Sequence, residues 1–216
     1  MGIFGILGGL VLFAGDMLFY YASDSTDLKL NMGHASDLRI ILSGISALLA
    51  TWFYMLGLGQ IYYAFKPASG RSRNVVTISL AAIFIAYGII HAAYVAIAAT
   101  SKLGVQYQID METATELASY TNNILRLFVY PFFALLSFVF IYQVWSRKTL
   151  YPRWMVFFFP LLPFLLRGLI GKYLHGSLKI VIMGGYFNLM LVVFFTASTF
   201  ALWNSGIRQK LSSEEK

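Results

Sequence analysis

The chain has 216 residues, of which 59% are hydrophobic and only 12% charged, with a mean hydropathy of +0.71 and a formal charge of +7. Ordinary soluble domains carry roughly 25% charged residues, so this composition excludes that class. Cysteine is absent, which removes disulfides, thiolate catalysis and cysteine-based metal sites.

A hydrocarbon core of roughly 30 Å is crossed by about 20 apolar residues in helix. Six stretches meet that length or approach it: residues 3–22, 40–65, 75–100, 124–145, 154–170 and 180–203. The expected fold is an all-α, polytopic bundle of six transmembrane helices forming one domain through residue 204. Residues 205–216 read as a short solvated tail.

The first stretch lacks a basic leading region, and Tyr20-Tyr21-Ala22 is a poor cleavage site, so it reads as a retained helix. At about 100° per residue Gly5, Gly9, Leu12 and Asp16 share one face. The Gly5/Gly9 pair signals close helix packing, so Asp16 should point into protein. An interhelical ion pair with an arginine is the simplest partner for it. The second stretch shows Ser43, Ala47, Ala50 and Tyr54 at helical spacing, a small-residue stripe that reads first as tight packing. Trp52 falls inside this span and is a candidate cavity residue. The other three tryptophans lie at helix ends, as an interfacial belt requires.

The third stretch stacks Tyr87, His91 and Tyr94 at i, i+4 and i+7. A histidine there can hold a fixed tautomer and exchange a proton, or can simply be satisfied by a phenol or carbonyl. Before the fourth stretch, residues 111–117 read as a surface helix beginning near Asp110. Asn122, Arg126 and Tyr130 then share one side, with Pro131 following. The fifth stretch brings Pro160, Pro163 and Arg167 close to one face, as in a bent helix bordering a cavity. The sixth contributes Asn188 after Gly184 and Gly185. A faint similarity at an offset of 80 residues would relate helices two and three to helices four and five, as in a parallel repeat.

Basic residues follow the second stretch (Lys66, Arg71, Arg73), the fourth (Arg147, Lys148, Arg153) and the sixth (Arg208, Lys210, Lys216). The first and third loops are acidic or mixed, with Asp24, Asp27, Asp37, Asp110, Glu112 and Glu116. The fifth, with Lys172, His175 and Lys179, leans the other way. By the positive-inside rule both termini lie in the cytoplasm. The expected location is the cell (cytoplasmic) membrane. The positive charge is then a topology signal that needs no nucleic acid.

Charges near helix centres cost at least roughly 2.5–3.5 kcal/mol on insertion scales, so they usually face the bundle or water. Under alternating topology Asp16, His91, Arg126, Arg167 and Asn188 all fall between the midplane and the outer leaflet. The expected function follows: an outward-accessible intramembrane polar pocket that binds a small amphipathic or lipid-like molecule. Its candidate residues are Asp16, Tyr87, His91, Tyr94, Arg126, Arg167 and Asn188. Asp16 would select a cation or orient Arg167, and either arginine could meet a carboxylate or phosphate. The alternatives are a membrane-embedded enzyme using Asp16 and His91 as an acid–base pair, a small transporter, and a non-catalytic structural or accessory subunit. Membrane lipids are the expected partners, and self-association stays open. No cofactor is expected and no metal: His34, His91 and His175 are dispersed, and no HExxH, Walker A, GxSxG or Gly-rich nucleotide fingerprint occurs.

Overall fold

Long apolar runs with few internal breakers dictate long helices, and their polar ends supply the caps. The computed structural model describes residues 1–22 and 25–214, with side chains described through Trp203. In chain order the helices are α1 (Gly2–Tyr20), α2 (Leu28–His34), α3 (Asp37–Ala64), α4 (Gly70–Tyr107), α5 (Met111–Leu127), α6 (Tyr130–Trp145), α7 (Met155–Phe158), α8 (Leu161–Tyr173), α9 (Gly176–Gly184) and α10 (Tyr186–Glu214). No strand occurs among the described residues. Asp27, Ser36, Ser69 and Asp110 each accept a hydrogen bond from a backbone amide of the first turn, which satisfies a donor the helix leaves orphaned.

Among the described residues five helical stretches are long and apolar enough to cross a membrane: Gly2–Tyr20, Asp37–Ala64, Gly70–Tyr107, Met111–Trp145 and Tyr186–Trp203. The polarity is inverted relative to a soluble bundle. On α3, Ile41, Ile45, Leu48, Trp52 and Leu56 are exposed, whereas Ser43, Ser46 and Gln60 are buried. An apolar exterior around a polar interior is what hydrocarbon selects, and it marks the chain as a membrane protein. Trp52 is 56% exposed on that outer face, so it lines no cavity, contrary to the sequence expectation.

The fifth apolar stretch is not one helix. Phe159 is extended (φ −67°, ψ 138°) between α7 and α8 because it precedes Pro160, whose ring disfavours helical backbone in its predecessor. Pro163 then sits in the first turn of α8, where its missing amide costs nothing. The two prolines thus make a break where the sequence suggested a bend. The break directs Phe159 into the core, stacked on Phe140 with ring centroids 4.3 Å apart and edge-on to Phe194 at 5.9 Å. Pro131 likewise divides α5 from α6, because its ring conflicts with the carbonyl four residues earlier. The sixth stretch breaks at Gly185, where a Cβ would lie 2.2 Å from the Phe13 ring.

Against the continuous α4, residues 150–187 are segmented into α7, α8 and α9, so the faint sequence similarity does not extend to matching helices. At 38 residues α4 is roughly 57 Å long, more than a bilayer core, and it packs against α2 and α5. Most of the expected tail is the helical continuation of α10 to Glu214. Its side chains, Asp24 of the first loop and residues 215–216 lie outside the described residues.

The centre of the bundle is α1, packed between α3 and α10. Gly5 permits this approach: a Cβ there would fall 2.3 Å from the Phe195 ring. At Gly9 it would meet a Val192 methyl at 2.5 Å. Leu12 and Asp16 continue the same buried face, as the helical wheel requires.

Candidate functional site: a polar cavity at one end of the bundle

Four helices converge where α1 approaches its C-terminal end, α1, α4 and α10 contributing one polar side chain each and α3 two. Asp16 of α1 is 6% exposed and His91 of α4 is 6% exposed, with Asp16 Oδ1 3.3 Å from His91 Nδ1. Asn188 of α10 donates from Nδ2 to Asp16 Oδ2 at 2.6 Å. Tyr54 of α3 donates its hydroxyl to Asn188 Oδ1 at 3.3 Å, which fixes the orientation of the amide. On the other side of the imidazole, Nε2 lies 3.0 Å from Ser43 Oγ. Ser43 in turn donates to the Gly15 carbonyl at 2.7 Å. A Cβ on Gly15 would stand 1.9 Å from Ser46 Oγ and 3.2 Å from His91 Nε2, so glycine leaves room first for Ser46 and then for the ring.

The Ser43 proton is committed to the Gly15 carbonyl, so Ser43 accepts from Nε2–H, which leaves Nδ1 facing Asp16 Oδ1. Both Asp16 oxygens have partners, and no described arginine lies within 4.0 Å of either. The expected Asp16–arginine pair is therefore replaced by Asp16–His91 and Asp16–Asn188.

Asp16, His91 and Asn188 form part of the wall of a cavity of about 220 Å³. Tyr87, Tyr94, Arg126 and Arg167 line the same cavity, so all seven candidate residues meet at one place. Tyr87 stacks on Phe187 with ring centroids 4.1 Å apart, forming an aromatic wall. Arg126 donates to the Tyr94 hydroxyl and lies over its ring, 5.3 Å from the centroid. Its Nε is buried without a partner. Arg167 lines the cavity without a hydrogen bond or ion pair among the described residues and keeps an exposed side chain. No described carboxylate lies within 4.0 Å of either guanidinium. Asn122, on the same side of α5 as Arg126, donates to the Ile90 carbonyl at 3.0 Å and holds α5 against α4.

The cavity therefore has two characters. Its Asp16–His91–Asn188 wall is internally hydrogen-bonded, and its arginine wall is positive with no carboxylate in contact among the described residues. The break between α9 and α10 brings Gly184, Tyr186 and Phe187 to the lining, and Tyr186 is anchored by donating to the Pro163 carbonyl at 2.7 Å. Leu28 of α2 closes one side. Outside it, Lys29 pairs with Glu112 at 2.7 Å and Lys102 pairs with Asp37, tying α2 to α5 and α4 to α3.

Ser43, His91 and Asp16 have the connectivity of a nucleophile–base–orienter triad. Access argues against that chemistry: Ser43 is fully buried, is not in the cavity wall, and donates its hydroxyl proton to Gly15. Sequence reasoning missed Ser43 and Tyr54 as partners of this array. Their only signal was being the polar members of an otherwise small, apolar stripe on α3. Among the described residues no cluster of three or more potential metal ligands occurs.

No curated protein and no solved structure matches the chain. A family model, described as a family of unknown function, matches residues 1–205. The chain, with Asp16, His91, Asn188 and two arginines lining one cavity, belongs to the family of unknown function DUF6796.

Proposed function

We propose that the protein binds a small amphipathic or lipid-like molecule in this cavity and that the ligand carries an anionic head group, a carboxylate or a phosphate ester. One observation carries the reading: Arg126 and Arg167 line a cavity without a carboxylate partner among the described residues, while Asp16 is already matched by His91 and Asn188. A partly buried guanidinium such as that of Arg126, whose Nε has no partner, is costly without an anion, and planar donors suit carboxylate and phosphate. The aromatic wall of Tyr87 and Phe187 accommodates the first carbons beyond the head.

In the membrane, residues 155–173 make the remaining crossing as a broken helix, giving six spans with both termini cytoplasmic. The cavity then opens toward the outer leaflet of the cell membrane. Basic residues after the second, fourth and sixth spans support this orientation.

The test uses purified protein in neutral phosphatidylcholine nanodiscs and amphiphiles that share one oleoyl chain. Oleate and oleoyl-lysophosphatidate should raise the unfolding temperature, whereas oleoyl-lysophosphatidylcholine and monoolein should not. The oleate and lysophosphatidate arms separate carboxylate from phosphate. No stabilisation by either anion would defeat the proposal and favour a structural role for the polar groups.

A second reading rests on the Asp16–His91 contact at the cavity wall, which could move a proton to or from a bound substrate. It predicts chemical change in the bound amphiphile, detected by mass spectrometry, and loss of that change in His91→Gln.

A further inference from the structure

A second depression lies beside the first. It has a volume of about 760 Å³ and runs between α6 and α8. Phe133, Ala134, Phe138 and Ile141 form one side, Leu161 and Leu165 the other, and Trp145 the far end. Tyr130 and Phe164 line both this groove and the polar cavity, so the two share a wall. Arg126 lies one helical turn before Tyr130 and Arg167 one turn after Phe164. Tyr130 to Trp145 spans 16 residues, roughly 22 Å along the axis, in the same direction that an extended lipid tail would run.

From this continuity we infer that the cavity and groove form one bipartite site for a single-chain anionic lipid, such as a fatty acid or a lysophospholipid. The inference rests on the anion-binding reading above. The head group sits against Arg126 and Arg167, the chain passes between Tyr130 and Phe164, and the tail lies along α6 toward Trp145. The junction matters because an apolar groove facing a bilayer is filled by any lipid chain without gain, lipid being as apolar as the groove. A head group anchored at one end is what makes occupancy by one molecule specific.

The experiment places a photoreactive diazirine on stearate, either near the carboxylate or near the terminal methyl. Both probes are added to wild-type protein in phosphatidylcholine nanodiscs, and labelled peptides are identified by mass spectrometry. The head-proximal probe should label the cavity and the tail probe should label the Ile141–Trp145 segment, each competed by excess oleate. Arg126→Gln with Arg167→Gln should reduce both by about tenfold or more, as expected for loss of charge-assisted anchoring. Ala134→Trp, at an exposed position in the groove, should reduce tail labelling while head labelling persists. Leu135→Trp, on the lipid face outside the groove, should change neither.

Competed head labelling with tail labelling scattered over all lipid-facing helices would overturn the bipartite site and leave the anion-binding reading standing. Tail labelling of the groove that ignores oleate and both arginine substitutions would also overturn it, since only bulk lipid behaves so. Absence of competed labelling with either probe would overturn both.

Discussion

Asp16 and His91, 75 residues apart in sequence, meet at 3.3 Å in the wall of the cavity, and each has a second partner that fixes its orientation. The contacts of the Asp16 side chain thus tie three helices of the bundle together.

Asp16→Asn leaves His91 without its counter-group and disturbs the hydrogen bond from Asn188. Removing one partner of a buried pair costs roughly 3–5 kcal/mol, and the adjoining cavity places this substitution at or below the lower end. Chemical or thermal unfolding in nanodiscs checks the stability loss. The preference for anionic over neutral amphiphiles should survive, because Arg126 and Arg167 are untouched.

Ser43→Ala removes the acceptor of His91 Nε2–H and the donor to the Gly15 carbonyl at once. Unsatisfied buried groups cost about 1–3 kcal/mol, so stability should fall by that order. Ligand-induced stabilisation should be retained. Loss of ligand response with unchanged stability would show that Ser43 faces the ligand after all.

Much of this arrangement is legible in the sequence, and the boundary has a physical cause. Position along a helix axis follows from counting residues, which is why Asp16, His91, Arg126, Arg167 and Asn188 could be assigned to one depth. Rotation within α1 followed from Gly5 and Gly9. Rotation between helices does not follow from either, so Asp16 read as an arginine partner when it belongs to His91 and Asn188. The prolines were visible, yet Pro160 and Pro163 together with an extended Phe159 make a break, and sequence cannot tell that from a kink. Ser43 was hidden because a small polar residue in a packing stripe looks the same whether its hydroxyl is used or not.

Gly5→Ala should be among the most damaging single changes in the molecule. The added Cβ lies 2.3–2.5 Å from three atoms of the Phe195 ring, which is itself fully buried. Separating α1 from α10 should cost about 1–3 kcal/mol or more. Gly70→Ala is the control: the glycine is the first residue of α4 and nothing lies within 4 Å of an added Cβ, so stability should change little. Paired melting temperatures of the two variants test the packing directly.

Topology is tested by adding single cysteines to a chain that has none. Thr26 and Lys66 are exposed at opposite ends of the bundle. An impermeant maleimide applied to intact cells should label Thr26→Cys and spare Lys66→Cys until the cells are opened. The reverse pattern would invert the orientation and turn the cavity toward the cytoplasm.

The central claim is that two uncompensated arginines select the charge of the ligand. Its most direct test measures the affinities of oleate and monoolein for wild type, Arg126→Gln, Arg167→Gln and the double variant, all in phosphatidylcholine nanodiscs. The chain is the same in both ligands, so their ratio isolates the head group. Wild type should prefer oleate by about tenfold to a hundredfold, the range of one or two charge-assisted contacts of about 1.5–3 kcal/mol partly offset by desolvation. Each single substitution should reduce the ratio, and the double variant should bring it near unity while monoolein binding stays unchanged. A wild-type ratio near unity, or a preference for oleate that survives in the folded double variant, would contradict the account.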